Sequence, residues 1–202
     1  DLPPPAPEGA GFLRRFAIEP APEFAAVQPA QPFAAAGASA AAGREAPNNL
    51  PAELGRFIGR QAEVASLREQ LSRTRLLTIC GAAGVGKTRT ALQLARETAP
   101  QFKDGVGFVE LGSVSDADRV VQAVASVFGV REGETSLKES LTFYLQKRTV
   151  LLVLDNCEHL LDACADFVNT LLRRASDLKV IATTRERLDI DGEIVYGLED
   201  SG

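Results

Sequence analysis

The residues Gly81-Ala82-Ala83-Gly84-Val85-Gly86-Lys87-Thr88 have the spacing GxxxxGK[ST], and that spacing is suited to cradling phosphate. Glycine at 81, 84 and 86 keeps bulky side chains out of the loop, so that successive backbone N–H groups can converge on an anion at the start of a helix. Lys87 is then expected to reach the β and γ phosphates. Thr88 offers a hydroxyl to Mg²⁺, a hard cation that takes oxygen ligands and completes its octahedron with waters, phosphate oxygens and a nearby carboxylate. Arg89, next in the chain, is counted with the loop as a nucleotide contact.

A carboxylate to share the Mg²⁺ should stand at the end of another buried strand. The stretch "TVLLVLDNCEHL" supplies it: a continuous aliphatic run from Val150 to Leu154 leads directly into Asp155. A helix-capping Asp is the ordinary alternative, but a cap does not call for the fully apolar run before it. The residue after this Asp is Asn156, which cannot accept a proton. Glu158 is the nearest acid. It either folds back toward the reacting phosphate or serves as a negative charge near a helix N-terminus. His159, the only histidine, is read as structural or exposed.

A third polar group follows the next apolar run, "VIATTRERL", whose tip is Thr183, Thr184 and Arg185. If the strands are parallel, this tip emerges at the same sheet edge as the phosphate loop and Asp155. A guanidinium there can distinguish a γ phosphate from its absence through charge-assisted bonds. The plainer alternative is a Thr cap with a solvated Arg.

These groups need a scaffold, and the hydrophobic periods predict one. Helical spacing covers Glu63 to Leu71, Gly86 to Thr98, the Val120 to Phe128 stretch, Leu137 to Leu145 and Leu160 to Leu172. Strand-like runs cover Leu76 to Cys80, Gly107 to Leu111, Val150 to Leu154, Leu178 to Ala182 and Ile194 to Tyr196. The alternation predicts an α/β fold, a three-layer sandwich with a mostly parallel sheet, with ligand at the carboxyl ends of its strands.

Composition sets the limits. Nine of the eleven prolines precede residue 51, among many alanines, so no hydrophobic period is sustained there. Residues 1–47 are therefore expected to be a largely disordered linker or the tail of a preceding domain, and residues 48–202 the folded domain. A net charge of −5 without a basic cluster argues against this segment gripping nucleic acid. Cys80, Cys157 and Cys164 fit no CxxC spacing and are expected to be reduced, mostly buried thiols in a cytoplasmic protein. No apolar run approaches membrane-spanning length, and the chain has no methionine, so it is expected to be part of a longer protein.

The segments "NNLPAELGRFIGRQAEVASLREQL", "RLLTICGAAGVGKTRTALQLA", "VLLVLDNCEHL" and "VIATTRERL", running from about Asn48 to Glu193, together resemble the motifs of the STAND-class (NB-ARC-like) P-loop ATPases. The resemblance is to the module within large bacterial multidomain regulators, where it joins a DNA-binding or nucleotide-cyclase domain to C-terminal helical repeats. It implies ATP or ADP as ligand with Mg²⁺, and fused effector and repeat domains as partners outside this chain. It leaves a nucleotide-dependent homo-oligomer open. It also implies that "FIGR" lies on the adenine side, with Ile58 and Gly59 against the base and Arg60 nearby, and that Arg185 is the sensor. Gln61 departs from the Glu that is frequent in that place. The family's winged-helix region, which carries a further nucleotide contact, would come after Gly202. Because Asn156 replaces an acid, the expectation is a slow ATP switch. No NKxD motif for a GTPase is present, while a kinase or a nucleic-acid-stimulated motor remains an alternative.

Overall fold

The computed structural model describes residues 46–52 and 59–199. The expected linker over 1–47, apart from its last two residues, and Ile58 lie outside them. Among the described residues ten principal elements follow one another: α1 (Gln61–Arg73), β1 (Leu76–Cys80), α2 (Lys87–Thr98), β2 (Gly105–Glu110), α3 (Ala117–Phe128), α4 (Leu137–Leu145), β3 (Val150–Asp155), α5 (Leu161–Arg174), β4 (Lys179–Thr184) and β5 (Glu193–Gly197). The strands form one parallel sheet in the order β2-β3-β4-β1-β5.

Strand residues alternate between two cores, one on each face. Leu151 and Val153 of β3, Leu77 and Ile79 of β1 and Ile181 of β4 pack against Leu67 and Leu71 of α1 and Ala91, Leu94 and Ala95 of α2. Their neighbours Leu152, Leu154, Leu76, Val180 and Ala182 point the other way, against Val120, Val124 and Phe128 of α3, Leu141 and Leu145 of α4 and Phe167, Val168 and Leu171 of α5. Because both faces are covered, the strands read as unbroken aliphatic runs. Each fully buried Leu or Ile contributes about 1.5–3 kcal/mol, so this double burial is the main force holding the strand tips in register.

Element identities follow the hydrophobic periods, and the ends shift by a few residues. The second strand begins at Gly105 rather than Gly107 because pairing with β3 starts at Gly105 opposite Val150. The fourth runs on to Thr184, which pairs with Cys80 of β1, so its polar tip belongs to the strand. The β2 edge is covered locally by the chain before α1. Val106 N–H donates to Pro47 C=O at 3.0 Å, and the Asn49 side chain bonds both the N–H and the C=O of Phe108, at 2.7 and 2.8 Å. An amide in that place satisfies edge groups that would otherwise invite another strand.

Candidate functional site

The phosphate loop connects β1 to α2 at the carboxyl edge of the sheet. Gly84 (φ 81°) and Gly86 (φ 94°) both occupy the left-handed region that side chains resist. Gly86 is the N-cap of α2, and it supplies no side-chain cap for the first N–H groups of that helix. Lys87 is 8% exposed, and its ammonium donates to the loop carbonyls of Gly81 (2.9 Å) and Ala82 (3.0 Å). A Cβ at Gly81 would lie 2.6 Å from the Leu198 carbonyl oxygen, so the close passage of the chain after β5 requires glycine there.

Asp155 ends β3 and is 4% exposed. β4 separates β3 from β1 in the sheet, yet the loop bridges the gap: Thr88 Oγ1 donates to the Asp155 carboxylate, 2.8 Å from Oδ1 and 3.0 Å from Oδ2. The β4 strand contributes a second donor, Thr183 Oγ1, at 2.6 Å from Asp155 Oδ1. Thr183 also accepts from the chain that follows Asp155: its hydroxyl takes Asn156 N–H at 2.9 Å and its carbonyl takes Cys157 N–H at 2.9 Å. Thr183 was visible in the sequence only as part of a polar strand tip. The signal for its role was a small hydroxyl residue ending an apolar strand beside Arg185.

Beyond Asp155 the chain turns back into the cleft. Asn156 adopts a left-handed conformation (φ 67°), which Asn tolerates better than most residues. Glu158 lies in the turn before α5, whose first-turn acid is Asp162. With its side-chain amide oriented so that oxygen and nitrogen both meet complementary partners, Asn156 donates to Glu158 Oε1 and Oε2 at 2.9 and 3.0 Å. Arg185 Nε is 3.4 Å from Glu158 Oε1. A cleft of about 550 Å³ is lined by Ala83, Gly84, Gly86, Lys87, Thr88 and Arg89 from the loop side, and by Asn156, Glu158, Thr183 and Arg185 from β3 and β4.

The remaining expected site residues fall elsewhere. Ala82 and Val85 belong to the loop without lining that cleft; Ala82 C=O accepts from Lys87 and from Val85 N–H. Gly59 and Arg60 precede α1, and the Arg60 guanidinium donates to the Glu199 carbonyl at 2.7 Å and faces Glu63 at 3.8 Å. His159 is exposed and bonds the Val114 carbonyl at 2.7 Å, a structural contact away from the cleft. Cys157 and Cys164 are free and buried. A hydrogen bond with Cys164, burial and the nearby negative charges of Asp155 and Glu158 together push the Cys157 thiol well up. Cys80, half-buried beside the loop, is also pushed up, by burial first and then by Glu193.

The donor set suits a magnesium nucleotide. Thr88 and Asp155 offer hard oxygens, and among the described residues no group of three or more His, Cys, Asp or Glu could hold a metal by itself. Among the described residues no helix is long and apolar enough to cross a membrane.

Comparison with known proteins agrees with this fold. The AAA domain family matches residues 68–189. A Mycobacterium tuberculosis protein, named provisionally as an HTH-type transcriptional regulator, is 41% identical over 131 residues, which make up 64% of this chain and 15% of that protein. The regulatory protein AfsR of Streptomyces griseus is 27% identical over 202 residues, 93% of this chain and 18% of its own length. The chain thus spans less than a fifth of either relative. The Signal Transduction ATPase with Numerous Domains (STAND) protein with a tetratricopeptide repeat sensor from Pyrococcus horikoshii superposes with a TM-score of 0.50 at 20% identity, covering 70% of this chain and 23% of that one. At that identity the likeness concerns the fold alone. A nucleotide-binding loop on a parallel five-stranded sheet, and a family match over more than half the sequence, lead to one assignment: the chain belongs to the AAA domain family and is an AAA-type P-loop ATPase domain.

Proposed function

We propose that this chain is the ATP/ADP-binding switch module of a larger regulatory protein, with slow Mg²⁺-dependent hydrolysis of ATP. The observation that carries the reading is the convergence of Lys87, Thr88, Glu158 and Arg185 on one cleft, with Asp155 bonded to Thr88 at its floor. Loop N–H groups and Lys87 bind the phosphates, with the ammonium exchanging the Gly81 and Ala82 carbonyls for phosphate oxygens. Thr88 and Asp155 would hold Mg²⁺, which would supply charge neutralisation at the terminal phosphates. Arg185 reads the γ phosphate. Glu158 orients the water whose oxygen forms the new bond to phosphorus as the bond to the β-phosphate oxygen breaks, giving ADP and inorganic phosphate. Gly59 and Arg60, with Ile58, are assigned to the adenine side.

The relatives support the regulatory half of the reading. They carry regulator names and are several times longer than this chain, which fits effector and repeat domains fused outside it. The absence of a basic cluster at net charge −5 supports a module that does not itself grip nucleic acid. Titration of ATP, ADP and GTP against the chain and against Lys87→Ala tests the reading. Tight ATP and ADP binding that Lys87→Ala loses is the expected result, with no stimulation of turnover by DNA. Equal affinity in Lys87→Ala would sink the site assignment.

A further inference from the structure

Glu158 is held from two sides by groups of different kinds. On one side the Asn156 amide donates to both carboxylate oxygens at 2.9 and 3.0 Å; on the other the Arg185 guanidinium pairs with Oε1 at 3.4 Å. Resting on the function proposed above, we propose that Asn156 positions the Glu158 carboxylate for water, that the Arg185 ion pair restrains it, and that a terminal phosphate relieves the restraint by taking the guanidinium.

The two contacts differ in firmness. Asn156 is fixed through its backbone: its own N–H is held by Thr183 Oγ1 and the next N–H by the Thr183 carbonyl, which together secure the left-handed turn. Its amide is also closely packed, since a Cβ at Gly112 would lie 2.7 Å from it. An acid at 156 would place a like charge against Glu158, whereas an amide gives the donor that a carboxylate at 158 needs. Asn156 therefore keeps a role although it cannot take a proton.

Arg185 is the loose partner. Its side chain is 60% exposed against 21% for Glu158, and an ion pair so open to water is weak. Phosphate oxygens in the same cleft compete for that guanidinium with more charge and with bidentate geometry. With ADP the guanidinium stays on Glu158. With ATP it is drawn away, leaving a carboxylate that Asn156 still aims. Binding of the γ phosphate thus has to break one contact before hydrolysis can proceed, which ties turnover to nucleotide state.

The test compares the affinity of a non-hydrolysable ATP analogue with that of ADP, by calorimetric titration of the full chain. Glu158→Gln and, as a second variant, Glu158→Ala free Arg185, so the preference for the ATP analogue should rise about two- to fivefold, the worth of a weak exposed pair, with ADP affinity unchanged. A Glu158 of purely structural importance would not raise it, and an unchanged or lowered preference in both variants overturns the restraint. Asn156→Gly keeps the left-handed backbone and removes the amide, so kcat should fall at least about tenfold at constant KM. Parental turnover in Asn156→Gly overturns the positioning role, and so does a parent that hydrolyses ATP no faster than Lys87→Ala. Loss of all nucleotide binding in Lys87→Ala, alongside an unmoved preference in the Glu158 variants, would reject the restraint while leaving the proposed site standing.

Discussion

Thr183 and Asp155, on adjacent strand tips, share a buried hydrogen bond of 2.6 Å, and the same threonine hydroxyl accepts the N–H of the residue after Asp155. One side chain therefore fixes both the orientation of the carboxylate and the turn that leads to Glu158. Thr183→Val keeps the shape and removes both bonds, leaving Asn156 N–H without its partner. The expected cost is about 1–3 kcal/mol of stability, read by urea denaturation, with Thr183→Ser retaining most of it.

Asp155→Asn should leave the fold intact, since a side-chain oxygen remains to accept from Thr88 or Thr183, but it removes the charge that suits Mg²⁺. EDTA is expected to weaken ATP binding to the parent and to change binding to Asp155→Asn very little. Equal sensitivity of the two proteins to EDTA would exclude Asp155 as a ligand.

At the far edge of the sheet, Asn49→Ala strips both hydrogen bonds from the Phe108 backbone. The site is part-buried, so water recovers some of the loss, and about 1–2 kcal/mol is expected. Hydrogen exchange at the Phe108 amide should accelerate in the variant before the β3 amides change.

Leu154→Ala opens a cavity beneath the Asp155 turn, in the core shared with α5. A loss of about 2–5 kcal/mol is expected, with nucleotide affinity reduced as well, because Leu154 sets the height of the next residue. Thermal unfolding together with ADP titration checks both effects.

Cys80 is pushed above the ordinary thiol range by burial and by Glu193. The folded state thus favours the protonated thiol, and its contribution to stability is complete below the unfolded thiol pKa and is lost as pH rises through the folded one. Alkylation at Cys80, followed by peptide mass spectrometry, should accelerate only at a pH above that of a free thiol. Glu193→Gln should shift the profile downward, and an unshifted profile would show that burial acts alone.

The sequence by itself determined the phosphate loop, the aliphatic strand that ends in Asp155 and the alternating α/β pattern. Those features are local: glycine spacing, strand length and a period of two or 3.6 are written in consecutive residues. It also singled out Glu158 and Arg185 as candidates, without saying whether they meet. Only the tertiary structure decided that, because the strand order β2-β3-β4-β1-β5 inserts β4, which follows both in sequence, between β1 and β3. That insertion brings Thr183 under Asp155 and Arg185 against Glu158. The use of Asn156 as a donor was likewise hidden, since it depends on a positive φ that the Thr183 hydrogen bonds hold in place. Strand order is set by burial of two opposite faces at once, a property of the packed sheet that no single segment contains.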